Sequence, residues 1–263
     1  DFAAIKTTAI TGLSTAQIST MGTDKVVALT TDQLKKLDST QIGALTTAQV
    51  QALTSAQTGA LTSDQLQALT TDQITALDVD ALSNLQLQAL TTQQVHLLSN
   101  TQMAALTSSD VRALSTGQIA ALTYAGVAEM IDDFHTTQLR ALTSDQLQHI
   151  ATADIAALTT TQVASLQASQ IAVLSYTQIA ALDTAQTHAL TTAQLAALTA
   201  DQIGAFATDD IQALENSQLG AFSSAQLQFL SPTQIANLTS SQLRALSDAQ
   251  VDVLYTQLTT DQV

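Results

Sequence analysis

Four copies of one octapeptide follow each other without a gap between Leu45 and Leu77: LTTAQVQA, LTSAQTGA, LTSDQLQA and LTTDQITA. One continuous α-helix turns by about 100° per residue, so it would rotate equivalent positions by roughly 80° per octad and wind the leucines around the rod. A strand is excluded as well, because Val50, Ala52 and Leu53 break strict alternation. The helix must therefore stop and restart in every unit.

The restart has a recognisable chemistry. Thr46 is placed to cap the amides of the following turn, and Gln49 can reach back to the Thr46 amide, which forms a capping box. Leu45 and Val50 are spaced for a hydrophobic staple. Helices of one or two turns are not stable alone, so they must stack. The pattern predicts an all-α fold, an α-solenoid or superhelical rod of about thirty capped short helices, one per eight-residue repeat.

The register of closing residues runs from Ile5 to Leu254, which predicts a single continuous repeat array over residues 1–263. The array begins and stops in mid-unit without distinct polar caps, so we expect a segment of a longer protein. Pro232 follows the cap Ser231 at the first helical position, where proline fits best, and this supports the register.

Extra residues interrupt the octads at 78–82, 131–134 and 255–258. Four residues are close to one helical turn, so we expect longer helices near 70–82, 123–134 and 247–258. The interruptions are separated by multiples of three units. This spacing suggests three helices per coil and a rod of roughly 90–100 Å, whereas two helices per coil would give roughly 130–150 Å.

The formal net charge is −15 with only 7 Lys plus Arg, which argues against nucleic acid as a partner. There is no cysteine for disulfides or thiolate metal sites, no apolar run for membrane insertion, and no secretory signal peptide at Asp1. Seven acids fall in the first turn of a unit, where the helix dipole favours them, and we expect a capping role there: Asp24, Asp32, Asp64, Asp72, Asp145, Asp201 and Asp209. Four basic residues share the slot after the central aliphatic, and we expect them to be solvated: Lys35, Arg112, Arg140 and Arg244.

Candidate chemistry is sparse. His96 and His188 occupy the slot used elsewhere by Gln or Arg, His135 sits at a cap, and His149 replaces an Ala. Asp132 and Asp133 form a compact Asp/His cluster with His135, but a metal site needs three or four converging ligands, so no metal is assigned.

The sequence also lacks other site motifs. Asp78 and Asp80 resemble the start of a calcium loop without its Gly and closing Glu. No nucleophile, dinucleotide or phosphate-loop motif is present. Tyr124, Tyr176 and Tyr255 fall in every-third units, which suggests one edge and a binding strip as an alternative to incidental aromatics. We therefore predict no catalytic, cofactor-binding or metal-binding residues and no enzyme activity.

The octad L-[ST]-x-x-Q-[ILV]-x-A resembles the octapeptide short-helix repeat arrays of large secreted or surface proteins of Gram-negative bacteria. This resemblance implies an extended, adhesin-like stalk that is extracellular or at the cell surface. Locally, residues 230–235 (LSPTQI) also resemble the opening of a TAL-effector repeat, but the second helix and base-reading loop of that family are absent.

We interpret the chain as a structural spacer or display scaffold that presents a regular Thr/Ser/Gln face, with neighbouring domains of a larger chain as its partners. The alternative is a binding module whose repeated Thr/Ser/Gln surface recognises protein, glycan or another ordered surface. A third class, a calcium-stabilised secretion segment, would fold in a metal-dependent way.

Overall fold

The computed structural model describes residues 2–255. Over that range the chain forms thirty α-helices and three 3₁₀-helices, without a strand. The α-helices are four to eight residues long. The predicted all-α solenoid with one short helix per repeat is confirmed.

Contacts divide the chain into two compact units, Asp1–Asp133 (unit 1) and Phe134–Val263 (unit 2). In unit 1 the 3₁₀-helices are η1 (Phe2–Ala4), η2 (Val79–Ala81) and η3 (Ile131–Asp133). The α-helices of unit 1 are α1 (Thr7–Ile10), α2 (Thr15–Ser19), α3 (Thr23–Val27), α4 (Thr31–Lys36), α5 (Ser39–Gly43), α6 (Thr47–Gln51), α7 (Ser55–Thr58), α8 (Ser63–Gln67), α9 (Thr71–Thr75), α10 (Asn84–Ala89), α11 (Thr92–His96), α12 (Asn100–Ala104), α13 (Ser108–Ala113), α14 (Thr116–Ala121) and α15 (Tyr124–Met130).

Unit 2 continues the same pattern without a 3₁₀-helix among its described residues. Its helices are α16 (Thr136–Leu139), α17 (Ser144–Gln148), α18 (Thr152–Ala157), α19 (Thr160–Ser165), α20 (Ala168–Val173), α21 (Tyr176–Ile179), α22 (Thr184–His188), α23 (Thr192–Ala196), α24 (Ala200–Gly204), α25 (Thr208–Ala213), α26 (Asn216–Leu219), α27 (Ser224–Leu227), α28 (Pro232–Ala236), α29 (Ser240–Ala245) and α30 (Asp248–Tyr255).

Most octads begin with the predicted capping box. At α6 the Thr46 amide donates to Gln49 Oε1 at 2.6 Å, and the Gln49 amide donates to Thr46 Oγ1 at 3.2 Å. The helix ends when the Leu53 amide bonds to the Val50 carbonyl, a three-residue step at 3.2 Å. Between residues 2 and 255 no residue has a positive φ, so the corners need no glycine. The chain turns instead on the extended cap residue, as at Thr46 with φ −76° and ψ 159°.

Helices three steps apart in the chain stack on each other. In unit 1, α1 packs against α4 and α4 against α7, while α5 packs against α8 and α6 against α9. In unit 2, α17 packs against α20, α20 against α23 and α26 against α29. Three helices therefore complete one coil of about 24 residues in each unit. The hypothesis of three helices per coil is confirmed, and the alternative of two is wrong.

The structure differs from the longer helix expected near 70–82. Helix α9 ends at Thr75, and the five extra residues form η2 and its two flanking residues, Asp78 and Leu82; η2 packs on α7 as the next side of the coil. A 3₁₀-turn of three residues thus replaces a whole octad, because it buries Val79 and Leu82 without needing a full helix. At Gly59, directly beneath, an added Cβ would lie 2.9 Å from the Ala81 carbonyl oxygen.

The other two interruptions have a different form. Over 123–134, the seven-residue α15 runs directly into η3, and Val127, Met130 and Ile131 are buried along it. Over 247–258, α30 spans eight residues, Asp248–Tyr255. Residues 256–258 lie outside the described part of the chain.

The core is a stack of two aliphatic residues per octad. The central aliphatic and the closing Leu are both buried, as shown by Leu66 at 0% and Leu69 at 5% exposure. This thin core repeats coil after coil, so each layer depends on the layers above and below it.

Candidate functional site

In most units the third residue of the helix is a buried Gln whose side chain bonds in two directions. Gln65 has 2% exposure, and its Oε1 accepts the Thr62 amide at 2.9 Å to complete the capping box. Its Nε2 donates to the carbonyls of Leu34 at 2.9 Å and Leu37 at 2.7 Å, which lie in the coil beneath. One side chain therefore caps its own helix and satisfies the unpaired carbonyls at the end of another.

This arrangement repeats as a ladder along both units. We call the following residues the glutamine ladder, each with Nε2 bonded to carbonyls one coil below: Gln33, Gln41, Gln49, Gln57, Gln65, Gln73, Gln86, Gln94, Gln102 and Gln118 in unit 1, and Gln162, Gln170, Gln178, Gln186, Gln194, Gln202, Gln218, Gln226, Gln234, Gln242 and Gln250 in unit 2. The prediction that these glutamines belong to a presented surface is wrong, because most of them are buried.

Only an amide can fill this position fully. A Gln side chain offers an acceptor oxygen and two N–H donors, whereas an ionised Glu offers acceptors alone. The capping box by itself accepts either residue. Yet the third helical position carries Gln in most units and Glu in none. That exclusion was the sequence feature that could have revealed the ladder.

Some helices lack the ladder residue. Asp110 of α13, Asp154 of α18 and Asp210 of α25 stand in its place, and α15 has Gly126. The Asp210 carboxylate accepts the Ala207 amide at 3.1 Å and the Thr184 hydroxyl at 2.9 Å. At α13 and α25 the carboxylate keeps the capping bond, but it cannot donate to the carbonyls below.

The outward face consists of the cap, the first two helical residues and the residue after the central aliphatic. The seven acids of the first turn are exposed, as expected for groups that interact with the helix dipole: Asp24, Asp32, Asp64, Asp72, Asp145, Asp201 and Asp209. The basic slot is exposed too, as predicted: Lys35, Arg112, Arg140 and Arg244.

One edge of each unit carries a row of threonines at the first helical position. In unit 1 the threonine row is Thr23, Thr47, Thr71, Thr92 and Thr116, on α3, α6, α9, α11 and α14, and all five are exposed. In unit 2 it is Thr136, Thr160, Thr184 and Thr208, on α16, α19, α22 and α25. The other edges have mixed residues at this position. Sequence reasoning missed the rows because they follow from the three-helix coil.

The histidines make local contacts on the surface. His135 is the N-cap of α16, as predicted, and its Nδ1 accepts the Gln138 amide at 3.3 Å. His96 Nδ1 lies 2.9 Å from the Ala121 carbonyl in the next coil. His188 Nε2 lies 3.7 Å from Glu215, and His149 Nδ1 lies 2.7 Å from the Asp145 carbonyl.

The acids near η3 and η2 have separate roles. Asp133 Oδ1 lies 3.9 Å from Arg112 Nη2, and the Asp133 carbonyl accepts Arg112 Nε at 3.3 Å, while Asp132 is exposed. At η2, Asp78 Oδ2 accepts the Ser55 hydroxyl at 2.9 Å. The pKa of Asp80 is raised, because Asp78 hydrogen-bonds to its protonated form and repels its charge.

Two of the three tyrosines share an edge. Tyr176 begins α21 and Tyr255 ends α30, both on the edge of unit 2 formed by α18, α21, α24, α27 and α30, and both are more than half exposed. Phe229, which follows α27, is also exposed on this edge. Tyr124 begins α15 in unit 1.

The described residues form an open groove but no cluster of metal-ligating side chains. Between residues 2 and 255, no three His, Asp or Glu side chains converge as metal ligands. An open groove of about 530 Å³ between α26 and α29 is lined by Asn216, Ser240, Ser241, Arg244 and Ala245, so Arg244 is its one ionisable lining residue. Nor does any helix in this part of the chain combine the length and apolar character needed to cross a bilayer.

The stacked three-helix coils and the glutamine ladder define a helical repeat protein of the solenoid class. Five segments match the profile of the ALTTAQ repeat: residues 1–31, 26–63, 147–184, 177–208 and 203–240. These matches cover more than half of the chain, which therefore belongs to the ALTTAQ repeat family. The six-residue string itself occurs at 44–49 and again at 189–194. No curated protein shows significant sequence similarity to this chain.

Proposed function

We propose that the array is a structural spacer that holds neighbouring parts of a larger chain at a separation set by the number of coils. The observation that carries this proposal is the buried glutamine ladder. Because each ladder residue bonds both to its own cap and to the coil beneath, each coil is fixed to the next by repeated buried contacts. The resemblance of the octad to repeat arrays of surface proteins supports an extracellular, bacterial setting within the same proposal.

The three-helix coil supplies a matched pair of deletions to test spacing. Removing residues 47–70 takes out one whole coil and joins the cap Thr46 to the helix start Thr71. Removing residues 47–54 takes out one octad and joins Thr46 to Ser55. Both junctions restore a normal cap, but only the first keeps every helix on its original edge.

The length can be read from two spectroscopic labels on cysteines introduced at Thr23 and Thr116, since the chain has no cysteine of its own. The 47–70 deletion should shorten this distance by about 8–10 Å, one layer of packed helices, while the far-UV circular dichroism per residue stays unchanged. The spacer proposal fails if the distance between the labels does not change. It also fails if the deletion abolishes the function of the larger chain instead of shortening the distance between the parts that the array separates.

A second candidate function is recognition of a partner by the hydroxyl-rich outer face. It is favoured by the threonine row Thr23, Thr47, Thr71, Thr92 and Thr116, which lies on one edge and is exposed. The same deletions separate the two candidates. Removing residues 47–54 moves the helices that follow onto different edges and so breaks the threonine row, whereas removing residues 47–70 only shortens the row. Loss of binding to a glycan array or an ice surface with the first deletion alone would favour recognition.

A further inference from the structure

The groove between α26 and α29 in unit 2 is polar and contains one cationic side chain. The Arg244 guanidinium lies in it together with the hydroxyls of Ser240 and Ser241 and the carboxamide of Asn216, and among the described lining residues Ala245 alone is apolar. The Asn216 Nδ2 donates to the Ser241 Oγ at 2.8 Å, so a hydrogen bond joins the two helices across the groove. These groups suit a polar ligand and offer little surface to an apolar one.

The charge of Arg244 is not neutralised by an acid of the described chain. Within residues 2–255, Arg244 forms no ion pair. Glu215 precedes Asn216 in the chain, but its carboxylate lies 3.7 Å from His188 Nε2 and does not line the groove. In a protein with a formal net charge of −15, this groove therefore presents a local positive charge to an anionic group.

The same set of side chains occurs once more, in unit 1. Residues 106–114 read LTSSDVRAL and residues 238–246 read LTSSQLRAL. Helix α10 packs on α13 as α26 packs on α29, and Asn84 at the start of α10 donates from its Nδ2 to the Ser109 Oγ at 3.1 Å. The Asn–Ser pair and the arginine that follows it are therefore a repeated arrangement.

The copy in unit 1 shows which group the arginine accepts. The Arg112 Nη2 lies 3.9 Å from the Asp133 Oδ1, and the Arg112 Nε donates to the Asp133 carbonyl at 3.3 Å. A carboxylate of the same unit thus lies against the arginine of this arrangement. Among the described residues of unit 2, none supplies such a carboxylate to Arg244.

We propose that the groove between α26 and α29 binds an acidic saccharide, with the sugar carboxylate on Arg244 and ring hydroxyls on Ser240 and Asn216. The guanidinium fork matches the geometry of a carboxylate. Serine hydroxyls and the asparagine amide both donate and accept hydrogen bonds, as sugar hydroxyls do. The groove volume of about 530 Å³ lies within the range of about 300–1,000 Å³ for small-ligand sites, and its open form admits a longer polysaccharide.

This site is separate from the functions proposed above. It lies in unit 2 and uses no residue of the threonine row of unit 1, and it does not depend on the length of the array. Failure of the deletion experiments therefore leaves the saccharide site standing, and failure of the saccharide site leaves the spacer proposal standing.

A titration of the complete protein with digalacturonate, followed by NMR through the Asn216 side-chain amide, tests the proposal. Binding should saturate, should weaken when NaCl is raised from about 20 mM to about 200 mM, and should be at least tenfold weaker for the neutral digalactose. Arg244→Gln should weaken digalacturonate binding about tenfold to hundredfold, because it removes a hydrogen-bonded charge. Asn216→Asp places a second carboxylate in the groove and should weaken binding as well.

Arg112→Gln is the matched control, because it makes the same change in the other copy, where Asp133 already lies against the arginine. It should leave the affinity for digalacturonate unchanged, and circular dichroism checks that each variant is folded. The proposal is overturned if digalacturonate does not bind, if Arg244→Gln and Arg112→Gln weaken binding equally, or if digalactose binds as tightly. Equal binding of an Asp–Asp dipeptide would overturn the saccharide assignment, since the carboxylate alone would then be recognised.

Discussion

Replacing one ladder glutamine by glutamate should destabilise the array strongly at neutral pH. In Gln65→Glu the shape is conserved, and one carboxylate oxygen can still accept the Thr62 amide. The other oxygen replaces the Nε2 that donates to the Leu34 and Leu37 carbonyls at 2.9 and 2.7 Å. Two hydrogen bonds become two close contacts between oxygen atoms in a site with 2% exposure.

The magnitude follows from these losses. Each lost hydrogen bond costs about 0.5–1.5 kcal/mol, and each buried carbonyl left without a donor adds about 1–3 kcal/mol. Two bonds and two carbonyls, with partial relaxation, give roughly 3–5 kcal/mol at pH 7 for the coil that contains α8.

The loss should depend on pH in one direction. Burial and the two carbonyl oxygens raise the folded-state pKa of the introduced carboxyl group above its unfolded value, because they disfavour the ionised form. The variant is therefore most stable below the unfolded pKa, where the protonated carboxyl can donate one hydrogen bond. It loses stability as pH rises through the raised folded pKa.

Urea denaturation followed by circular dichroism, with hydrogen exchange of the α5 and α8 peptides at pH 4 and pH 7.5, measures this change. Gln67→Glu is the control, because the Gln67 side chain is exposed and donates to the Ala89 carbonyl at the surface; its effect should stay below about 0.5 kcal/mol. If Gln65→Glu matches wild type at pH 7.5, or if the two variants lose equal stability, the ladder is not a source of stability.

Three further substitutions probe particular contacts. Thr58→Val should raise stability by about 1 kcal/mol in urea denaturation, since the Thr58 hydroxyl is fully buried and finds no partner within residues 2–255. Asp80→Asn should raise the melting temperature at pH 7 but not at pH 3. Asp78 raises the folded-state pKa of Asp80, so the ionised Asp80 side chain destabilises the folded protein at pH 7, whereas at pH 3 the protonated side chain does not. Gly59→Ala should cost about 1–3 kcal/mol, measured by urea denaturation, because its Cβ would lie 2.9 Å from a carbonyl oxygen of η2.

For each of these substitutions, one result would contradict the reasoning. A destabilised Thr58→Val protein would mean that the hydroxyl is hydrogen-bonded in the native state. An equal effect of Asp80→Asn at pH 3 and pH 7 would remove the charge explanation. Gly204→Ala is the control for Gly59, because its Cβ would make an ordinary 3.7 Å contact; it should stabilise α24 by about 0.5–1 kcal/mol through helix propensity, and a similar gain at Gly59 would contradict the steric argument.

The interruptions show which parts of the structure the local sequence pattern can predict. The apolar spacing of Val127, Met130 and Ile131 depends only on helical geometry, and these residues lie buried along α15 and η3. At 78–82 the same reasoning predicts a longer α9, but the structure has a 3₁₀-turn that forms a side of the coil by itself. This turn packs on α7, where the lack of a side chain at Gly59 leaves room for the Ala81 carbonyl, and that contact is tertiary.

The sequence by itself determined the unit: a hydroxyl and an amide side chain halt and restart the helix every eight residues, since capping is decided within five residues of chain. Only the tertiary structure decided which carbonyls accept hydrogen bonds from the Nε2 of that amide side chain. The Nε2 of Gln65 meets carbonyls 28 and 31 residues earlier because three helices complete a coil, and no local rule contains that distance. The same coil places five exposed threonines on one edge of unit 1, because stacking, and not adjacency in the chain, determines which residues are neighbours.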